Sequence, residues 1–147
     1  MRVSVIRDPS LTSRERRAVA EARLGSLLRE CGVRLRVPAR ATLSLRLTND
    51  AELQGLDARF LGIDAPTDVL AFPADERDRV GDVAISVERA LSQASNGAAE
   101  LRLLAVHGLL HCLGHDHAEA GPAALMTTMT RELLPGAEVP ELETADA

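Results

Sequence analysis

The sequence predicts an α+β fold in a single domain over residues 1–147, with about four strands in a small mixed sheet and about five helices. Three observations support this prediction. Short apolar stretches with the two-residue period of strands are interspersed with longer stretches that have the helical period. A chain of 147 residues is long enough to build one hydrophobic core. The helical stretch at residues 99–113 is apolar on almost every side, which is typical of a helix at the centre of a domain.

The individual elements follow from apolar periodicity and from residues that begin and end helices. Residues 12–15, Thr-Ser-Arg-Glu, have the pattern of a capping box and open a helix that is predicted to run to about Cys31. Residues 49–52, Asn-Asp-Ala-Glu, form a second capping box. The acidic tail from Pro135 is predicted to be flexible. In chain order, the predicted strands cover residues 3–6, 42–48, 68–72 and 80–87, and the predicted helices cover residues 12–31, 50–60, 88–95, 99–113 and 122–134.

The composition excludes several classes of protein. No apolar run is long enough to cross a membrane, and the N-terminus lacks the pattern of a signal peptide. The two cysteines, Cys31 and Cys112, provide no disulfide framework, and both occupy apolar positions of predicted helices. We therefore expect a cytoplasmic protein with buried, reduced thiols and no membrane partner.

The charge is distributed unevenly along the chain. Residues 1–46 contain eleven arginines and four acids, whereas residues 47–147 contain six arginines and eighteen acids. A solvated basic helix face is the commoner explanation of the N-terminal excess. The alternative is a surface that holds a polyanion, because arginine binds phosphate through two parallel hydrogen bonds. Arg16 and Arg23 are seven residues apart and are predicted to share that face.

All four histidines lie between residues 107 and 117. His107 and His111 are four residues apart, which places both imidazoles on one face of the predicted helix. Gly114 favours the end of that helix, since glycine adopts the left-handed conformation of a C-cap. The chain can then turn back and present His117 as a third ligand. Three histidines and a water form the open tetrahedral site of a catalytic zinc, one ion per chain, on a zincin-like metal helix.

The neighbours of the predicted ligands have other roles. His115 is expected to face the substrate or to support a ligand rather than to bind the metal. Cys112 lies about 100° around the helix from His111 and is expected to point into the core. Asp116 has two equally supported interpretations: it is the catalytic acid or base, or it orients an imidazole of the site.

A three-histidine site favours metal-assisted hydrolysis. The spacing of its histidines also resembles the motif of metzincin peptidases, which have a glutamate base directly after the first histidine. This chain has Gly108 at that position, which disfavours a peptidase. A glycine there is predicted to leave room beside the metal for a phosphate. Nickel or iron are further metals that three histidines accept.

The sequence resembles the YbeY family of bacterial endoribonucleases, the rRNA maturation factors. The resemblance lies in three blocks, at residues 107–117, 62–73 and 81–86, and it extends from about Leu43 to Leu134. It implies an α+β fold, a zinc ion bound by His107, His111 and His117, and cleavage of single-stranded RNA. It further implies maturation of the 3′ end of 16S rRNA and ribosome quality control. The implied partners are ribosomal RNA and the small ribosomal subunit, with ribosomal proteins or an assembly GTPase as further candidates.

The sequence departs from the family where many members have an arginine and this chain has Leu61, two residues after Arg59. Asp68 and Asp82 are candidates for lining the cleft, although each also suits a turn. Two alternatives to the nuclease therefore remain. One is a metal-stabilised ribosome-assembly or RNA-binding factor with little catalysis, and the other, disfavoured by Gly108, is a metallopeptidase.

Overall fold

The computed structural model describes residues 1–63 and 67–144. Within these residues the chain forms four strands and six helices, which confirms the predicted α+β class. The strands are β1 (Arg2–Arg7), β2 (Thr42–Thr48), β3 (Val69–Pro73) and β4 (Arg79–Ser86). The helices are α1 (Ser13–Ala22), α2 (Leu24–Arg34), α3 (Asp50–Leu61), α4 (Val87–Gln93), α5 (Gly97–Cys112) and α6 (Ala120–Leu133).

The four strands form one mixed sheet in the order β1-β2-β4-β3. β1 pairs with β2 and β2 with β4 in parallel, whereas β3 lies antiparallel to β4 at the edge. Alternation along β4 sends Val83 and Ile85 into the main core and Ala84 to the opposite face. Ala84 packs there with Leu70 of β3 and Leu53 of α3, so α3 covers the second face of the sheet.

α5 lies at the centre of the larger core. It contacts β3 and β4 on one side and α1, α2, α4 and α6 on the others. The side chains of Leu101, Val106 and Leu109 have no exposed surface. A helix that is apolar on every side is stable only where other elements bury all of its faces. The prediction that this helix lies at the centre of the domain is therefore confirmed.

The capping residues begin the helices where the sequence predicts them. Thr12 and Glu15 form the reciprocal bonds of a capping box at α1. Asn49 accepts a hydrogen bond from the Glu52 amide at α3, but the Glu52 carboxylate binds Arg46 and Thr48 instead of returning to the cap. The second capping box is thus only half formed.

The predicted helix over residues 12–31 is wrong in its continuity. Arg23 adopts the left-handed conformation, with φ 48° and ψ 51°, and separates α1 from α2. A left-handed arginine stops the α-helical hydrogen-bond pattern, so the chain changes direction there. Arg16 and Arg23 consequently do not share one helix face. Arg16 donates to the carbonyl of Pro9, and Arg23 borders a shallow cavity of about 300 Å³ together with Arg7 and Arg29.

None of the helices in the described part of the chain combines the length and the apolar character needed to span a bilayer.

Candidate metal centre

The helix that presents two of the histidines is fixed at both ends. Asn96 caps α5 by accepting a hydrogen bond from the Ala99 amide. At the other end the Leu113 amide donates to the carbonyl of Leu109 at 3.0 Å. Gly114 follows with a positive φ of 98°, as predicted for the residue that ends the helix. The His115 amide donates to the Leu110 carbonyl at 3.0 Å and begins the turn that brings His117 back.

The structure brings the three predicted ligands together. One nitrogen from each of His107, His111 and His117 lies within 4.8 Å of the others. The Nε2 atoms of His107 and His111 are 3.1 Å apart. The ring of His117 lies 5.4 Å from each of the other two rings, measured between centroids. Three imidazole nitrogens at these separations can bind one metal ion.

The surroundings of the imidazoles keep the two helix-borne ligands neutral. Burial, followed by the proximity of His111 and His117, lowers the pKa of the His107 imidazole to about 4. Burial is also the main reason why the pKa of His111 lies below its usual range. A histidine binds a metal only in its neutral form, so both side chains are ready to act as ligands at neutral pH.

The three histidines line one end of a cleft of about 700 Å³. Apolar side chains from four parts of the chain form most of its wall, including Leu61, Val69, Leu103 and Leu142. The size suits a small organic molecule or a single nucleotide. The imidazoles are half-buried, so the site is open to a molecule that enters the cleft.

Two carboxylates border the same cleft. Asp68, a candidate from the sequence, lines it and accepts a hydrogen bond from Gln93. Glu100 was missed by the sequence analysis although it lies seven residues before His107, on the same face of α5. Burial and the nearby Asp68 raise the pKa of the Glu100 carboxyl. Asp82, the other sequence candidate, instead forms an ion pair with Arg79 on an exposed surface.

The other candidates from the sequence are placed outside the group of three ligands. Asp116 is exposed, and its Oδ1 accepts a hydrogen bond from the Ala118 amide, which stabilises the turn. His115 is half-buried and does not join the three ligands. Cys112 is buried as predicted, with its sulfur 3.9 Å from the carbonyl of Asp82. Burial raises the pKa of the Cys112 thiol to about 11, so it stays protonated.

Gly108 has a packing role that the sequence did not reveal, and the predicted room for a phosphate beside the metal stays a prediction. A Cβ atom at this position would lie 2.6 Å from Cγ1 of Val83 and 3.4 Å from Cγ2 of Val69. Glycine is therefore required so that α5 can approach β4 closely. Gly108 borders the cleft, but the direction in which a side chain would extend is occupied by the sheet.

Leu61 stands where many family members have an arginine, and Arg59 lies two residues before it. Leu61 borders the cleft and is 51% exposed. The guanidinium of Arg59 lies 5.7 Å from the ring centroid of Phe60 and does not line the cleft. Residues 64–66 of the second sequence block lie outside the described residues.

The tail after α6 contributes to the site, which the sequence did not predict. Val139, Pro140 and Leu142 line the cleft beside the histidines. The backbone carbonyl of Glu143 lies 3.2 Å from Nδ1 of His117. The sequence predicts a flexible tail from Pro135, whereas in the structure residues 139–143 of that tail make defined contacts with the cleft and with His117.

A mixed sheet whose central helix presents two histidines, with a third on the following turn and an open cleft beside them, defines the class of metal-dependent hydrolases.

Similarity to known proteins identifies the family of the chain. The family described as "Endoribonuclease YbeY" matches residues 9–138. A protein of that name from Gloeobacter violaceus is 42% identical over 135 residues, covering 82% of this chain and 70% of its own length. The one from Chloroflexus aurantiacus is 43% identical over 111 residues, covering 65% of this chain and 71% of its own length. The chain belongs to the endoribonuclease YbeY family.

A solved structure supports the fold. The solution structure of TM1509 from Thermotoga maritima aligns with a TM-score of 0.56 and 23% sequence identity, covering 90% of this chain and 86% of that one.

Proposed function

We propose that this protein is a zinc-dependent, single-strand-specific endoribonuclease that matures the 3′ end of 16S rRNA and acts in ribosome quality control. The observation that carries the proposal is the group of three imidazoles, His107, His111 and His117, at the end of a cleft in a chain of the YbeY family. Ribosomal RNA is the proposed substrate. The small ribosomal subunit, with ribosomal proteins or an assembly GTPase, is the proposed partner, and the cytoplasm is the proposed location.

The donor set favours zinc. Three imidazole nitrogens without a thiolate or a protein carboxylate among them suit zinc, and the three histidines that would hold it line the cleft. The low pKa of His107 keeps its lone pair free well below neutral pH. When bound, zinc would supply Lewis-acid chemistry at a phosphoryl oxygen.

The side chains around the cleft can move the protons that RNA cleavage requires. A proton must leave the attacking hydroxyl, and another must reach the 5′-oxygen of the leaving nucleotide. The raised pKa of Glu100 keeps its carboxyl protonated to a higher pH than usual, which suits a proton donor. Asp116 is the alternative acid or base, on the turn between the second and third ligands.

The dimensions of the cleft favour single-stranded RNA. A volume of about 700 Å³ holds roughly one nucleotide, and a single strand presents an unpaired nucleotide without the cost of taking it out of a duplex. The apolar wall at Leu61, Val69 and Leu103 offers contact to the face of a base without reading its edge. Cleavage should therefore depend on strandedness more than on base identity.

One observation favours a second function, that of a metal-stabilised assembly factor with little catalysis. Asp68 and Glu100 place carboxylates in the cleft, and Leu61 stands where many relatives have an arginine. Carboxylates in the cleft oppose the entry of a phosphodiester, whereas RNA binding on the outer basic surface does not require that entry.

The two functions are separated by a cleavage assay. Labelled single-stranded and duplex RNA of one sequence are incubated with zinc-loaded wild type, with chelated wild type, and with the variants His111→Ala and His115→Ala after the same zinc treatment. We expect chelator-sensitive cleavage of the single strand by wild type and His115→Ala, and none by His111→Ala. RNA that is bound but left intact by zinc-loaded wild type would support the assembly factor instead.

A further inference from the structure

The segment of residues 139–143, here called the C-terminal strap, lies beyond the part of the chain that matches the YbeY family. It nevertheless borders the cleft that contains the three histidines. Its sequence, Val-Pro-Glu-Leu-Glu, gives no indication of a regular element. Hydrogen bonds to α6 and to the metal centre hold the strap in place.

Two side chains of α6 hold the strap. Arg131 donates from Nε and Nη2 to the carbonyl of Val139, at 3.2 and 2.9 Å. The amide of Leu142 donates to Oγ1 of Thr127 at 3.1 Å. The Leu142 side chain packs against the main core. These contacts fix the backbone at both ends of the strap and bring Glu143 to the metal centre.

The strap meets the centre at His117. A carbonyl oxygen can only accept a hydrogen bond, so the contact of Glu143 with His117 requires a proton on Nδ1. The Nε2 lone pair of His117 is then free for the metal. His107 and His111 already have their Nε2 atoms directed at each other, and a buried helix holds both of them. His117 lies on a turn outside any helix and has no comparable support from its own element.

We propose that the C-terminal strap positions His117, through the Glu143 carbonyl, as a metal ligand in its Nδ1-protonated form. The inference rests on the metal half of the proposed function and not on RNA cleavage. Glu143 acts through its backbone, so the identity of its side chain is unimportant and the path of the strap is decisive. A ligand imidazole generally donates its second N–H to such a partner, and removal of the partner weakens metal binding about 10–100-fold.

The first test compares two truncated proteins. Ending the chain after Glu138 removes the strap, and ending it after Thr144 keeps it. We expect zinc affinity, measured by competition with a chelator, to fall about 10–100-fold in the shorter protein and to stay unchanged in the longer one. In metal-free protein, imidazole ¹H–¹⁵N spectra should show Nδ1-protonated His117 in wild type and a mixture of tautomers after removal of the strap, with the His111 spectrum unchanged.

The second test uses full-length protein in case the shorter chain fails to fold. Thr127→Val removes the acceptor for the Leu142 amide with little change in shape. The matched control is Thr128→Val, since Thr128 makes the same bond to its own helix but is exposed and does not contact the strap. One neutral hydrogen bond limits the expected loss of zinc affinity to roughly threefold to fivefold in Thr127→Val, with none in Thr128→Val.

Several outcomes would overturn the inference. They are zinc affinity within twofold of wild type after removal of the strap in a folded protein, an unchanged His117 tautomer, or equal effects of Thr127→Val and Thr128→Val. A purely structural strap would lower the unfolding temperature without changing the tautomer. Failure of the RNA assay with intact zinc binding would leave this inference standing and reject only the nuclease.

Discussion

The two sides of the metal centre are built by different means. His107 and His111 project from α5, which is enclosed by the sheet and four helices. His117 lies on a turn after that helix, and its ring contacts the backbone of the distant tail. The helix side is held by packing that involves the whole core, and the turn side by a few hydrogen bonds. The rigid side can therefore set the location of the metal, while the turn side sets how tightly the metal is bound.

The largest expected effect comes from removing a ligand. His107→Ala, His111→Ala and His117→Ala should each lower zinc affinity by at least about two orders of magnitude, because each bond of such a site is worth roughly 3 kcal/mol. His115→Ala should retain one zinc per chain, since His115 is outside the group of three. Metal content after dialysis measures this. Equal loss in His115→Ala would mean that the turn supplies a second ligand, and the two sides would then no longer differ as described.

The next effect decides which side supplies the catalytic proton. Glu100 belongs to the helix side and Asp116 to the turn side. If Glu100 is the acid, Glu100→Gln should lower kcat for single-stranded RNA at least about 100-fold, with zinc content unchanged, and Asp116→Asn should change it little. The opposite ranking in rate assays at saturating RNA would assign the proton to the turn.

A smaller effect is expected from filling the contact between α5 and β4. Gly108→Ala should lower the free energy of unfolding by about 2 kcal/mol, because its new Cβ would press on Val83. Gly55→Ala in α3 is the matched control, since a Cβ there would meet no atom of the described residues within 4 Å. Alanine at that position should stabilise the protein by about 0.5–1 kcal/mol. Urea unfolding of metal-free protein measures both. If Gly108→Ala is as stable as wild type, the helix side is less tightly packed than its contacts indicate.

The smallest effect is a pH dependence of the metal-free protein. The unfolded chain has an ordinary imidazole with a pKa of about 6.5, and folding lowers the pKa of His107 to about 4. Between these values the unfolded state binds the extra proton, so the contribution of His107 to stability should fall as the pH is lowered from about 6.5 to about 4 and should change no further below that. Since the imidazole is half-buried, we expect a loss on the order of 1–2 kcal/mol. Chelated His107→Asn should lose this part of the slope.

The sequence predicted the helix side well for a physical reason. The four-residue spacing of His107 and His111 and the all-round apolar pattern of α5 both depend on helical geometry, which is local. Gly114 marked the end of the helix for the same reason. Glu100 lies seven residues before His107, a spacing that places it on the same helix face. The sequence analysis did not identify it because an acidic residue on a helix is common and marks no site.

What the sequence did not predict depends on contacts between distant residues. The left-handed Arg23 interrupts a continuous helical pattern although the residue at the break is itself neither glycine nor proline. The strap follows from bonds to α6 that join residues up to fifteen positions apart. The close packing of Val83 in β4 against Gly108 in α5 is likewise a contact between distant residues, and neither segment alone predicts it.

The close contact at Gly108 also bears on how this site can evolve. A single base change in a glycine codon can produce glutamate, and glutamate directly after the first histidine is what a metzincin peptidase needs. In this protein that change would drive a charged side chain into Val83 before it offered any new chemistry. Natural selection would therefore meet a destabilised intermediate on the shortest mutational route to a peptidase. The narrow gap between α5 and β4 at Gly108 thus opposes the change from RNA cleavage to peptide cleavage in this protein.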